Sequence, residues 1–354
     1  MSIVVRQSKA ILAIAIIAVI AAGSIAYYLV SSQRHRPVTI TVCSAGSLRI
    51  PLDGIARVFH SKYGDNVRIK SAGSVQVVRS VTDLGERCDV VAVADYRLIP
   101  MFMVPKYAKW YVAFASNQIV LTFTDKSKYA SWLEQHPNKW YVVLGMPDVR
   151  YGFSNPDMDP CGYRSVGVLA LASLYYKNET ILKEYVLSKI SGAKARIING
   201  TLHVYIPATF SIKGNIIIKP KEVDLVALLE SGSLDYAFEY ESIAKQHGLK
   251  YVKLPKQINL GDPSLDNVYG KVVVHILVGS SKEKSIVMKS IVYGVTIPKN
   301  APHPEAALRF VELLLSNTGR KIFEDNGQPF LEHPVGYGNL PEGLLKYVVT
   351  ASKG

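Results

Sequence analysis

The chain has 354 residues, of which 49% are hydrophobic and 19% charged, so its composition excludes a wholly disordered protein and allows one large or two medium-sized domains. Its formal net charge of +13 suits an anionic ligand or an anionic membrane surface. Nucleic acid is a poorer interpretation, because the Lys and Arg residues are scattered and form no basic tract interleaved with aromatic residues.

An uncharged run over residues 10–30 lies between basic residues such as Lys9 and Arg34. A helix of this length can cross a hydrocarbon core of roughly 30 Å, and the run exceeds the usual apolar region of about 7–15 residues in a signal peptide. The sequence therefore predicts an export signal or signal-anchor helix over residues 1–36. We expect an extracytoplasmic protein that is attached to the cell membrane through this segment, or secreted if the segment is cleaved.

The hydrophobic pattern after this segment predicts alternating strands and helices. In chain order these are a strand over 38–43, a helix over 50–62, a strand over 67–71, a helix over 75–85 and a strand over 88–93. Such a β-α-β-α-β order predicts a parallel sheet with flanking helices, in which ligands bind outside the carboxyl ends of the strands.

The rest of the chain has an α/β pattern of its own. Its predicted elements are strands over 119–124 and 141–144, helices over 164–176 and 222–231, strands over 235–239 and 291–297, and a helix over 304–316. We interpret the pattern as two α/β lobes joined by two crossings, with residues 37–120 and 275–350 in lobe 1 and residues 121–274 in lobe 2. A small ligand would then bind in the cleft between the lobes.

Two loops of small residues follow predicted strands, at residues 44–47 and 71–74, and both read Ser-Ala-Gly-Ser. Small side chains let a ligand approach the backbone, and the N–H groups at a helix N-terminus point towards an anion. One such loop alone is more often a plain strand-to-helix turn. Two copies, each followed by a helical pattern, predict an anion site in which the loops lie side by side.

Other candidate residues lie at the predicted ends of later elements. Asp159 precedes Pro160 at the start of a long helix, where capping is a common role for Asp. Glu222 lies in the first turn of a helix, where the helix dipole favours a carboxylate. Tyr240 ends a strand on the same rim. Glu239 points to the opposite face of that strand and is therefore a weaker candidate.

Three cysteines, Cys43, Cys88 and Cys161, allow one disulfide and one free thiol, and their spacing excludes a CxxC metal site. Cys161 has no readable histidine partner, so a small buried thiol is favoured over a nucleophile. Asp157 and Asp159 lack the glycine and glutamate that complete a calcium-binding loop. Because no nucleophile elbow, Walker loop or zinc motif occurs in the sequence, we expect no enzymatic activity.

Longer motifs extend from about residue 38 to residue 345, namely SAGSL, AGS, NPDMDPCGYRS, KPKEVDL, LDYAFEYESIAKQHGL, INLGDP and IVYGVTIPKNAPHPEAA. In this order they resemble the archaeal tungstate/molybdate-binding proteins of ABC importers. DPCGYRS and INLGDP, the latter read as a strand, are among the more specific motifs. The resemblance implies a two-lobed type II periplasmic-binding-protein fold without a cofactor. It also implies delivery of the oxyanion to a membrane permease with a cytoplasmic ATPase.

Carried over motif by motif, the resemblance places ligand contacts on Gly46, Ser47, Ser74, Asp159, Pro160, Cys161, Glu222 and Tyr240. It further implies that carboxylate oxygens of Asp159 and Glu222 bond the metal of the oxyanion, expanding four-coordinate molybdate or tungstate towards six-coordinate. The match to the PKE motif favours Glu222 over Glu239 as the second carboxylate. Sulfate and phosphate cannot expand in this way, so the two carboxylates would only repel them.

The nearest alternative is a binding protein for sulfate, phosphate or another small anion, which would use the same loops without metal coordination. An exported enzyme on the same scaffold, with Cys161, Asp159 and Glu222 as its chemical groups, would need a base and a nucleophile within hydrogen-bond reach. A sensor ectodomain is a third alternative.

Overall fold

A computed structural model describes residues 37–351 of the chain. The hydrophobic run predicted as an export signal or anchor, residues 10–30, lies outside the described residues. Among residues 37–351, no helix is both long enough and apolar enough to cross a membrane.

The strands of the described part of the chain are short and spread over its whole length. They are β1 Thr39–Ala45, β2 Asn66–Ala72, β3 Val90–Val93, β4 Trp110–Asn117, β5 Ile119–Phe123, β6 Tyr151–Ser154, β7 Lys194–Ile198, β8 Thr201–Pro207, β9 Ile216–Lys219, β10 Tyr236–Tyr240, β11 Lys250–Lys253, β12 Val272–Val278, β13 Lys284–Val287, β14 Ile291–Thr296, β15 Phe330–Gly338 and β16 Val349–Thr350.

The α-helices between them vary from one turn to four turns. They are α1 Arg49–Tyr63, α2 Ser74–Thr82, α3 Leu98–Phe102, α4 Ala130–Gln135, α5 Trp140–Val143, α6 Pro160–Tyr175, α7 Thr180–Leu182, α8 Val226–Glu230, α9 Glu241–Gln246, α10 Asp266–Tyr269, α11 Pro304–Leu315 and α12 Asn317–Asp325.

A seven-stranded sheet has the strand order β16-β15-β4-β14-β3-β1-β2. Its first part confirms the predicted β-α-β-α-β unit, since β1 pairs in parallel with both β2 and β3. β14 lies between β3 and β4 and is antiparallel to both. The predicted α/β class is therefore confirmed, and this sheet is mixed because a late strand completes it.

Two further sheets have the orders β11-β5-β10-β6-β9 and β13-β12-β8-β7. Helix α6 packs against strands of both, including β6, β10 and β12. Almost all of its residues are buried. This explains why the helix is mostly apolar on all its faces, whereas a surface helix would have a polar face. Because α6 is fixed on every side, its N-terminus is held rigidly.

The chain passes twice between the seven-stranded sheet and the other two sheets. It crosses first at Gln118, between β4 and β5, and returns through residues 288–290, between β13 and β14. The return comes later than the predicted start of the segment 275–350. The reason is that β12 extends through residue 278 and pairs with β8 and β13, which belong to the four-stranded sheet.

Two local predictions are wrong. The segment predicted as a strand over 141–144 forms helix α5, in which Trp140 and Val143 are buried with the three-residue spacing of a helix. The INLGDP motif, residues 258–263, forms turns instead of a strand. Leu260 there has a positive φ of 62°, which interrupts an extended backbone.

A disulfide joins Cys43 in β1 to Cys88, just before β3, and Cys161 is a buried free cysteine. One bridge and one free thiol are the combination that the cysteine count allows. The bridge closes a loop with a sequence separation of 45 residues, and chain entropy assigns about 4 kcal/mol of stability to a loop of that size.

We predict that the double variant Cys43→Ala/Cys88→Ala loses about 2–4 kcal/mol of unfolding free energy, because its unfolded chain is no longer constrained. Denaturant unfolding with and without a thiol reductant measures the loss. The reductant should lower the midpoint of the wild type and leave that of the double variant unchanged. A wild-type midpoint insensitive to full reduction would contradict the prediction.

Candidate functional site

The loops after β1 and β2 lie side by side, as predicted, because these strands pair in parallel with Ala45 opposite Ala72. Gly46 and Ser47 begin a short 3-10 turn that leads into α1, and Ser74 is the first residue of α2. All three predicted ligand residues are buried. The Ser74 hydroxyl accepts a hydrogen bond from the backbone N–H of the residue after β3, at 3.0 Å, which ties a third strand end to the same rim.

Asp159 is the N-cap residue of α6, and Pro160 is the first residue of that helix, as predicted. The Asp159 side chain makes no capping hydrogen bond. Both of its carboxylate oxygens are buried and make no hydrogen bond of standard geometry with any described residue. The alternative in which this carboxylate serves as an ordinary helix cap is therefore wrong.

Glu222 begins a short 3-10 turn between β9 and α8. Asp224 caps this turn, because its carboxylate accepts a hydrogen bond from the backbone N–H of Lys221 at 3.3 Å. The Glu222 carboxylate lies instead against Gly46, where an added Cβ atom would be 3.1 Å from Oε1 and 3.3 Å from Oε2. The missing side chain at Gly46 lets a carboxylate from one sheet approach the β1 loop of another.

Three fully buried carboxylates, those of Asp159, Glu222 and Glu239, lie within electrostatic reach of one another, and none has a hydrogen bond of standard geometry to a described residue. Burial and then the charge of Glu222 raise the pKa of Asp159 well above its usual value. Burial also raises the pKa of Glu222, and burial followed by the charges of the other two raises that of Glu239. Burying an unpaired carboxylate is costly, and carboxylates perturbed in this way are typical of functional sites.

Tyr240 and Cys161 lie beside these carboxylates, but both have partners of their own. The Tyr240 hydroxyl accepts a hydrogen bond from Nη1 of Arg164 at 2.8 Å, which leaves its own hydrogen free to donate. The Cys161 thiol lies 3.6 Å from the carbonyl oxygen of Phe238. Burial, and next the charge of Glu239, raises the pKa of this thiol well above its usual value, so it is a poor nucleophile.

The structure thus brings all eight predicted residues to one region, and it adds groups that the sequence interpretation did not single out. Glu239, judged the weaker candidate, is as deeply buried as Glu222. Arg164 belongs to the DPCGYRS motif but received no role. Asp95 follows the buried strand β3 at the same rim as the two small-residue loops, and that position could have indicated it.

Backbone groups also meet closely between the β2 loop and the segment before α6. The backbone N–H of Gln76 donates a hydrogen bond to the carbonyl oxygen of Met158 at 3.2 Å. A Cβ atom on Gly73 would lie only 2.3 Å from the same oxygen. The seven-stranded sheet and the N-terminus of α6 can therefore meet in this way only if residue 73 has no side chain.

A family model for bacterial extracellular solute-binding proteins matches residues 40–328. An uncharacterized solute-binding protein from Staphylothermus marinus is 50% identical over 97% of this chain and 98% of its own length. The molybdate/tungstate-binding protein WtpA from Thermococcus kodakarensis is 46% identical over 94% of both chains. The protein of the same name from Pyrococcus abyssi is 47% identical over 88% of this chain and 90% of its own length.

Solved structures share the fold at low sequence identity. The periplasmic molybdate-binding protein from Azotobacter vinelandii has a TM-score of 0.53 at 16% identity, covering 83% of this chain and 100% of that chain. The sulfate-binding protein SubI from Mycobacterium tuberculosis has a TM-score of 0.54 at 14% identity, covering 83% and 88% respectively. At these identities the likeness concerns the fold alone.

We predict that Gly73→Ala keeps the fold but holds the β2 loop away from Met158. Gly73 has φ −62° and ψ 141°, which alanine adopts without strain, so the melting temperature should change little. The clash with the Met158 carbonyl oxygen should instead separate the two sides and increase the radius of gyration in small-angle scattering. Scattering profiles identical to those of the wild type would contradict this.

We predict that Asp157→Asn stabilises the protein at neutral pH. Oδ1 of Asp157 accepts a hydrogen bond from the backbone N–H of Leu277 at 2.6 Å, which an asparagine oxygen can still accept. Burial raises the pKa of Asp157 to about 6, from an ordinary value of 3.8. The folded state therefore binds this proton more tightly than the unfolded state. The stability that the proton provides is present below about pH 4 and is lost as pH rises through 6.

The asparagine variant should be about 1–2 kcal/mol more stable than the wild type at pH 7.5, with the difference shrinking towards pH 4. Denaturant unfolding at several pH values checks this. A stability difference that does not vary with pH would show that charge is not its cause.

Proposed function

We propose that this chain, which belongs to the family of bacterial extracellular solute-binding proteins, captures tungstate or molybdate in a cleft and delivers it to an ABC importer. The observation that carries the proposal is the buried pair of neighbouring carboxylates, Asp159 and Glu222, which make no hydrogen bond of standard geometry to a described residue and lie against loops of small residues. Two relatives at 46% and 47% identity bear the name of molybdate/tungstate-binding proteins, which supports the same ligand here.

The cleft lies between two lobes in this proposal. Lobe 1 consists of the seven-stranded sheet, residues 39–117 and 291–350, and lobe 2 consists of the other two sheets, residues 119–287. This division follows the sheet memberships and moves the predicted boundary at residue 275 to the second crossing. The short crossings at Gln118 and residues 288–290 would act together as the hinge.

A tetrahedral dianion must exchange its water shell for donors that are already in place. The backbone N–H groups at the starts of α2 and α6 supply donors, and helix N-termini add partial positive charge. The hydroxyls of Ser47, Ser74 and Tyr240 are uncharged donors at the same place. Oγ of Ser47 is buried beside the Glu222 carboxylate and makes no hydrogen bond of standard geometry to a described residue.

Two carboxylates would repel a dianion unless they bond its central atom. In our proposal, oxygens of Asp159 and Glu222 coordinate molybdenum or tungsten and raise its coordination number from four towards six. Hard oxygen ligands suit such a high-valent centre. Sulfur and phosphorus in sulfate and phosphate offer no such bond, so the buried carboxylates would exclude both anions.

Binding without catalysis is the expected activity, because the family consists of solute-binding proteins and no cofactor is needed to hold an oxyanion. The buried Cys161 thiol, with its raised pKa, argues against the alternative of an exported enzyme. An extracytoplasmic location agrees with the family. We further propose that residues 10–30 attach the protein to the membrane, near a permease and its cytoplasmic ATPase.

We predict that Asp159→Ala and Glu222→Ala each weaken tungstate binding by about 100-fold or more, because each removes one bond to the metal centre. Isothermal titration with tungstate, molybdate and sulfate measures the effect. The matched control is Asp325→Ala, which removes a carboxylate that is 59% exposed and should leave the affinity unchanged.

Melting temperatures of the ligand-free variants should not fall, since each substitution removes a costly buried carboxylate. Unchanged tungstate affinity in both variants would refute the assignment of Asp159 and Glu222. Competition by sulfate at concentrations similar to those of tungstate would favour the small-anion alternative.

A further inference from the structure

Two residues one turn into α6 reach across to the seven-stranded sheet. The Tyr163 hydroxyl donates a hydrogen bond to Oδ2 of Asp95 at 2.9 Å. Nη1 of Arg164 donates to the carbonyl oxygen of Ala94 at 2.7 Å, and Nη2 lies 3.5 Å from Oδ2 of Asp95. Ala94 and Asp95 directly follow β3, whereas α6 packs on the other two sheets. These contacts therefore join the two proposed lobes.

Arg97, in the same proposed lobe, fixes the position of the Asp95 carboxylate. Its carboxylate accepts hydrogen bonds from the backbone N–H and Nε of Arg97, both at 3.0 Å, and from Nη2 at 2.7 Å. Burial alone would raise the pKa of Asp95, but the charges of Arg97 and Arg164 hold it below its usual range, so the group is ionised. Arg97 also donates to the carbonyl oxygen of Val287, at the end of β13, at 2.6 Å.

Arg164 links this interlobe contact to the candidate ligand site. The same Nη1 atom that bonds Ala94 also donates to the Tyr240 hydroxyl at 2.8 Å. Arg164 is 1% exposed, and its bond to Tyr240 fixes which way the hydroxyl hydrogen can point. Asp95 and Tyr163, by contrast, are not among the predicted ligand contacts.

We propose that Asp95, Tyr163 and Arg164 form an interlobe latch that stabilises the closed arrangement, with Arg164 as a positioning residue for Tyr240. The latch rests on the proposed function for its ligand, but its bonds are protein–protein bonds. They exist only when the lobes are together. Removing one of them lowers the closed population and weakens the apparent affinity by the same factor.

The latch differs from the site residues in its effect on ligand choice. Tyr163 and Asp95 are not among the predicted ligand-contacting residues. Weakening the latch should therefore reduce tungstate and molybdate affinity equally. Loss of a metal-bonding carboxylate should instead also change discrimination against sulfate. Discrimination against sulfate therefore separates closure from direct recognition, because it should be unchanged in a latch variant and altered in a carboxylate variant.

The test is Tyr163→Phe in the full-length chain, which removes one hydrogen bond to a charged group and leaves the ring in place. Tungstate affinity should fall about tenfold, with faster dissociation and an unchanged tungstate-to-molybdate ratio. The radius of gyration of the ligand-free variant should exceed that of the wild type. Asp95→Asn weakens the same contact from the other lobe. It should likewise lower the tungstate affinity, speed dissociation and increase the radius of gyration of the ligand-free chain.

The matched control is Tyr151→Phe. Tyr151 is equally buried, but its hydroxyl donates to the carbonyl oxygen of Tyr185 at 3.0 Å, within the same proposed lobe. This variant should lose stability without losing affinity or changing the radius of gyration.

Wild-type affinity and radius of gyration in both Tyr163→Phe and Asp95→Asn would overturn the latch, and so would a changed tungstate-to-molybdate ratio. If the wild type itself does not bind tungstate, the proposed function fails. The scattering comparison of the ligand-free chains still decides whether the latch exists.

Discussion

The candidate site is built around one costly feature, the burial of two neighbouring carboxylates where two sheets meet. Asp159 and Glu222 are fully buried, and neither has a hydrogen-bond partner of standard geometry among the described residues. Neither carboxylate caps a helix or turn. Asp159 makes no capping hydrogen bond, and Asp224 caps the turn of Glu222. Burial raises the pKa of both groups, and carboxylates perturbed in this way are typical of functional sites. In the proposed function, these carboxylate oxygens are the groups that bond the metal centre of the oxyanion.

Two glycines and the pairing of the strands let the two sides of the site come together. Gly46 leaves room for the Glu222 carboxylate, and Gly73 leaves room for the Met158 carbonyl oxygen. The disulfide from Cys43 ties β1, which Gly46 directly follows, to the segment before β3. The end of β3 also supplies the acidic side chain that α6 contacts. The candidate ligand residues and the proposed latch therefore lie at neighbouring ends of the same few elements.

The sequence predicted much of this because periodicity and loop composition are local properties. The β-α-β-α-β unit and the adjacency of the two small-residue loops follow from strand pattern and parallel pairing. The segment over 141–144 was mistaken for a strand, because a short run of Trp, Tyr and Val has no periodicity that separates strand from buried helix. The point at which the chain returns to the first sheet could not be read from the sequence, since sheet membership depends on pairing partners far away in the chain.

By itself, the sequence determined the α/β class, the two small-residue loops and the number of disulfides that its cysteines allow, because these properties reside in consecutive residues. Through its motifs it also proposed Asp159 and Glu222 as candidate ligand residues. Only the tertiary structure decided that the Asp159 carboxylate does not cap its helix, that Glu239 is as buried as Glu222, and that Arg164 joins Tyr240 to the end of β3. Those facts depend on which side chains meet after distant segments pack together. Burial and charge compensation are properties of that packing and cannot be read from local pattern.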